Sequence, residues 1–334
     1  MHTIDWLIVI LLNGPVILFA LLKGKGTETS SDWFLARRSL PWWIVGLSMY
    51  ATAIDASDMV ADSGGAYNFG IRLFVLTWVG IVAGWVFMAQ WIVVPMYRSG
   101  MYTNAEYLEA RFTPTARIVS ALIQVLYRTV VMGIIGTTIY LTLTVVAEWS
   151  DTQAWSAVVA IAAVATVYTV VGGLRSVAVT DALQSGVMLA GSVILFVIVF
   201  SHVGGWGGMK DKIVAKDAAV AQTLLHAGST RVETRDISGW TDGAVDAMSR
   251  LGGAVDTKEK TIVTETPGWL VSVYFVIAGL AYSIVNHTQT MRMLGAKSEW
   301  DIKMAVVLAS IIMIIITFLN LSMGILGRAL YDLQ

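Results

Sequence analysis

An all-α bundle of membrane-spanning helices is the fold class this sequence predicts, and three observations predict it. Of 334 residues, 56% are hydrophobic and only 13% charged, against roughly one quarter charged in soluble domains. Charge-poor apolar runs of about 20 residues, enough to cross a hydrocarbon core, recur at 4–22, 39–65, 73–97, 118–147, 153–173, 181–203, 267–290 and 304–327. Lys and Arg crowd into alternate short loops, the asymmetry by which such spans orient.

Taken in order, the first run (Ile8 to Leu22) lacks the basic start of a signal peptide, and its positive charges, Lys23 and Lys25, follow it. It reads as a retained helix. The next five runs lie close together, with short loops between them. From 204 to 267 the chain turns polar, rich in Gly, Asp, Lys and Thr, and reads as a loop or small cap too polar to cross. Two more apolar runs follow. One set of loops carries Lys23, Lys25, Arg37, Arg38, Arg98, Arg111, Arg117, Arg175, Arg292, Lys297 and Lys303, whereas the opposite short loops and the tail carry only Arg72 and Arg328. The first set is therefore assigned to the cytoplasm, which puts the N-terminus and the 204–267 stretch outside.

Composition also narrows function. A net charge of −1 from 22 basic and 23 acidic residues offers no polycationic face, so nucleic acid is not an expected partner. Without cysteine there are no disulfides, thiolate metal sites or cysteine nucleophiles. No P-loop, G-x-S-x-G, H-E-x-x-H or dinucleotide motif is present, and an enzymatic reading has no support.

Ionisable residues inside spans are costly and mark function by default. Asp55, Asp58 and Asp62 fall in the second span at steps of three and four, which predicts a shared helix face. Asp58 and Asp62 have a competing reading as solvated ends at the outer interface. The stretches AIDASD and IVNHTQT are polar interruptions in otherwise apolar helices, and paired interruptions of this kind point to a binding site between broken helices. Arg128 lies about ten residues into the fourth span. Three readings of it stand: a pair with Asp55 or Asp58, a contact to a carboxylated solute, or a structural role. Asp181 is read at the start of the sixth span, where the helix dipole favours an anion, or as a cap or gate contact.

Four patches carry a family resemblance. SLPWW at 39–43 opens the second span, PMYRSGMYTNAEYLEARF covers 95–112, GGLRSVAVTDALQ covers 172–184, and RMLGAKS follows the seventh span at 292–298. In order and spacing these resemble the sodium:solute symporter family, which includes sodium-coupled sugar, proline and pantothenate carriers. The resemblance implies two inverted five-helix repeats of the leucine-transporter type, preceded by one extra helix, with the first helix of each repeat broken. On that plan residues 1–38 hold the extra helix and a cytoplasmic loop, 39–203 the first repeat, 204–267 the outer loop, and 268–334 the start of a second repeat. Because the second repeat stops after two helices, the chain reads as the N-terminal part of a longer transporter.

The resemblance further implies sodium-coupled symport of a small organic solute across the cell membrane, with Na+ as the coupling ion and no other metal. Ala51 and Ile54 fall where family members offer carbonyl oxygens to sodium, and Asp58 falls where proline-type members carry an aspartate. Asp55, Thr77, Arg128 and Asn286 are the expected solute contacts, and Asp181 and Gln184 belong to the signature read as gating or structural. Thr77 and Gly80 replace a carboxylate and a hydroxyl of the sugar carriers, which turns the expected solute toward an amino acid or organic acid, with neutral sugars as runner-up. The alternative is a transporter-like sensor whose signalling domain lies beyond Gln334.

Overall fold

The computed structural model describes residues 29–216, 231–250, 254–256 and 258–331, with scattered positions at 7–19 and 221–226. The helix expected at 4–22 falls largely outside the described residues. A short α1 (Ser30–Leu35) leads into α2 (Trp42–Ala53). There the second span breaks: Ile54 and Asp55 are extended, and α3 (Ala56–Phe69) resumes the path. The third span is α4, four consecutive helical stretches at Leu76–Ile81, Val82–Met88, Ala89–Val93 and Val94–Ser99, the first and third of them π-helical. Thr103 caps α5 (Asn104–Arg111) and Thr113 caps α6 (Pro114–Val146), which carries proline in its first turn, where a missing N–H costs nothing.

The expected fifth and sixth spans form one 53-residue run, α7 (Asp151–Val203), jointed at Gly173. Gly173 has φ 57 and ψ −165, a region open in practice only to glycine. A Cβ there would lie 3.0 Å from the Trp33 backbone, and the Trp33 indole donates to the Val170 carbonyl just before the joint. Next come α8 (Gly205–Lys216), β1 (Arg231–Asp236), α9 (Asp242–Arg250), β2 (Ala254–Asp256) and β3 (Thr261–Thr266). The strands make an antiparallel sheet in the order β1-β3-β2, so the polar stretch is a folded cap rather than a loop. The seventh span breaks as the second does: α10 (Gly268–Val285) ends at Asn286 (φ −72, ψ 98), and α11 (His287–Leu294) follows. Last comes α12 (Glu299–Leu330).

Among the described residues five helices are long and apolar enough to cross a membrane: Trp78–Ser99, Pro114–Val145, Thr169–Val203, Gly268–Val285 and Glu299–Leu330. Asp151–Val167 is a shorter apolar helix, and the second span misses the length because its break divides it. Around α12, with Ile302 and Ile316 facing inward, the core gathers Val45, Met49, Tyr50 and Trp85. By contrast α6 keeps Leu122, Val125, Leu126 and Val130 exposed, a surface suited to hydrocarbon or further helices rather than water.

One end of the bundle is basic and tightly tied. Leu40 N–H donates to the Gly295 carbonyl at 3.1 Å, and Lys297 N–H donates back to Leu40 at 3.0 Å. Tyr97 hydroxyl donates to the Ala296 and Lys297 carbonyls. Arg98 grips Glu299 with two hydrogen bonds of 2.7 and 2.8 Å. The start of α2 therefore sits beside the end of α11, and the two broken helices run antiparallel. At the far end α8 packs Met209 and Ile213 with Leu326 and Ala329 of α12.

Candidate functional site

The first break lies midway along its path, between 12 and 14 helical residues, and the second lies nearer the basic end, with 18 before it and 8 after; the amide accounting at the first explains what it offers. In an unbroken helix the amides of Asp55, Ser57 and Asp58 would serve the carbonyls of Ala51, Ala53 and Ile54. Here the Asp55 amide donates to the Asp58 carboxylate at 3.0 Å, and the Ser57 and Asp58 amides donate to the Asp55 carboxylate at 2.7 and 3.3 Å. Asp55 and Asp58 thus form a capping box for α3, and the end of α2 keeps carbonyl oxygens that no following helical amide claims. Oxygen dipoles of this kind suit a hard monovalent cation and add no net charge to the membrane interior. The expected donors Ala51 and Ile54 are among them.

The aspartates do not share one helix face. Asp55 is extended and outside α3, Asp58 sits in the first turn of α3, and Asp62 lies one turn further on. The cause is the cap itself, which pulls Asp55 back over the helix start. Asp58 and Asp62 instead line a cavity of about 270 Å³ with Ile54, Ala278, Tyr282 and Met313. Neither stands as a solvated end.

At the second break Asn286 is 5% exposed. Its Oδ1 accepts from the Arg128 guanidinium at 3.1 Å and from the Thr288 hydroxyl at 2.7 Å, while Arg128 also donates to Thr288 at 3.1 Å. The Arg128 guanidinium carbon stands 5.1 Å from the Tyr127 ring centroid. Arg128 therefore does not pair with Asp55 or Asp58: α6 delivers it to the break in the seventh span instead. A second cavity, about 720 Å³, runs between α5, α6 and α10 past Asn104, Gln124, Tyr127 and Asn286. Tyr282 lines this cavity as well as the smaller one, so it borders both.

Of the other expected solute positions, Thr77 lies in the first π-helical stretch of α4, and its side chain falls outside the described residues. Gly80 is a packing position. A Cβ on it would come 2.8 Å from the Val276 carbonyl and 3.0 Å from Gly279 Cα, so α4 and α10 cross backbone to backbone there.

Asp181 is not at a helix start. The second arm of α7 begins at the Gly173 joint, and Asp181 lies about two turns inside it, beyond the reach of the helix-end dipole. It meets Arg292 of α11 at 3.2 Å and accepts from the Ser48 hydroxyl at 2.6 Å. Gln184, three residues on, is half-buried. Sequence reasoning missed Tyr282, Gln289 and the pairing of Arg292. Tyr282 had one signal, its place four residues before Asn286, one helical turn from the break.

Comparison with known proteins adds four findings. The family model described as sodium:solute symporter family matches residues 33–333. Sodium/glucose cotransporter 1 of Oryctolagus cuniculus is 26% identical over 332 residues, covering 98% of this chain and 46% of its own. Sodium/myo-inositol cotransporter 2 of Rattus norvegicus is 33% identical over 186 residues, covering 55% of this chain and 27% of its own. The chain spans less than half the length of these curated relatives. In fold, it is similar to the solved substrate-bound, outward-open structure of a Na+-coupled sialic acid symporter, with a TM-score of 0.76 at 18% identity over 99% of this chain and 61% of that one.

Proposed function

The chain belongs to the sodium:solute symporter family, whose members are transporters in membranes rather than enzymes, and from that premise we propose that the full-length protein couples sodium entry to uptake of a small organic carboxylate by alternating access. The observation that carries the reading is the side-by-side pair of breaks. One ends in unclaimed carbonyls beside a carboxylate-lined cavity; the other carries a guanidinium that, among the described residues, donates to an amide oxygen and a hydroxyl. Sodium is assigned to the carbonyls of Ala51 and Ile54 with Asp58. The solute is assigned to Arg128 and Asn286, with Asp55 and Thr77 at the margins. Asp181, in its pair with Arg292 and close to Gln184, is assigned to closure at the basic end. On this proposal 39–203 is the first inverted repeat, 268 onward begins the second, and the protein resides in the cell membrane.

A bound sodium brings its positive charge through the field, and the membrane potential contributes about 2.3 kcal/mol per charge per 100 mV. Uptake into proteoliposomes is expected to require an inward sodium gradient and to collapse when choline replaces sodium. Uptake indifferent to sodium would sink the coupling. Orientation has its own test: a cysteine at Gly239, in the cap beyond β1, is expected to react with an impermeant maleimide on intact cells. Reaction only after the inner face is exposed would invert the topology.

The relatives named for glucose and myo-inositol favour a second reading, a neutral polyol held through Asn286. Competition decides between them. Inhibition of uptake by small carboxylates and not by polyols supports the first, and the reverse supports the second.

A further inference from the structure

We propose that Gln289 is a positioning residue for the sodium site, a splint that fixes the last turn of α2 from the first turn of α11. The proposal rests on the sodium reading given above. Gln289 is fully buried, and its side-chain amide donates to the Met49 carbonyl at 3.0 Å. Met49 lies in the last turns of α2, two residues before Ala51 and five before Ile54. Three residues further along α11, Arg292 Nε donates to the Thr52 hydroxyl at 3.2 Å, and that hydroxyl donates to the Ser48 carbonyl at 2.6 Å. Gln289 and Arg292, at i and i+3, are neighbours on one face of α11, and this face is turned to α2.

A helix end without following amides has no intrinsic lock on the direction of its last carbonyls. Selectivity for a small cation needs those oxygens held at a fixed spacing, so something outside α2 must hold the turn. Gln289 is also a poor choice for packing alone. Its Oε1 is buried and accepts no hydrogen bond among the described residues, which carries a desolvation cost that methionine of similar volume would avoid. Of its two polar groups, only the one that reaches α2 is used. The splint also joins the two halves of the site. Asn286 and Thr288 take the Arg128 contacts, and Gln289 is the next residue of the same half-helix, so a shift of that half-helix is passed to the carbonyl turn.

The test uses the full-length protein in detergent with radioactive sodium as the probe. Gln289→Met keeps the volume and removes the donor. Its sodium dissociation constant is expected to weaken about three- to tenfold, the scale of one net hydrogen bond, while its melting temperature without sodium stays at the wild-type value. Gln289→His, which keeps a donor at similar reach, is expected to recover most of the affinity. Equal sodium affinity in wild type and Gln289→Met overturns the proposal, as does a loss of melting temperature that His does not repair. Wild type that binds no sodium overturns the sodium reading itself, and the splint with it.

Discussion

Replacing Gly84 by leucine is expected to abolish accumulation of folded protein. A Cβ at Gly84 would collide with the Ser283 Cβ and come within 3.0 Å of the Leu280 carbonyl. Gly80 one turn earlier meets Val276 and Gly279 in the same way. The two glycines thus form a small-residue face against Gly279 and Ser283, and the helix backbones touch. A leucine cannot be seated there by rotating a side chain; α4 must part from α10, which opens the wall shared by both cavities. Overpacking ordinarily costs about 1–3 kcal/mol, and a backbone collision lies at or above the top of that range. Fluorescence-detected size exclusion gives the readout. A milder pair, Gly84→Ala alone and with Ser283→Gly, is expected to show loss followed by recovery. Normal accumulation of the leucine variant would mean that α4 and α10 do not cross at this distance.

Arg128→Ala is expected to raise the half-saturation concentration of a carboxylated solute about 10- to 150-fold while the sodium requirement persists. That range is the worth of one charge-assisted hydrogen bond, about 1.5–3 kcal/mol, expressed as affinity. Truncation also removes one of the two donors to the Asn286 oxygen, so expression and melting temperature serve as controls. Lysine at 128 keeps the charge but loses the planar fork, and an intermediate affinity is expected. An unchanged half-saturation value in well-expressed Arg128→Ala would make this residue a brace for the break and nothing more.

Much of this was legible in the residues. Both breaks were visible because polar side chains interrupt apolar runs only where a cavity or a freed backbone tolerates them. The division at Gly173 was legible as two spans, but the position of Asp181 was not. Arg175 made the following residues read as loop, whereas they form the opening turns of the second arm with Leu174, Val177 and Ala178 buried. The three aspartates were misread because their spacing fits one helix face, and spacing carries no information about which residue leaves the helix to cap it. Gln289 and the Asp181–Arg292 pair depend on helices distant in sequence coming together. No local pattern in NHTQT distinguishes the amide that reaches α2 from its polar neighbours.

Gly173 has a consequence for the bookkeeping of sides. Drawn straight at 1.5 Å per residue, α7 would be about 80 Å long, far more than the roughly 30 Å of a hydrocarbon core. Folded at one glycine, the same residues become two traverses in place of one. Parity then depends on that joint: with it, the cap that follows α7 emerges on the same side as the α6–α7 turn at Glu148 and Trp149, and α10 descends toward the basic end. Without it, α10 and α11 would enter in the opposite sense, and the second break could not lie antiparallel to the first.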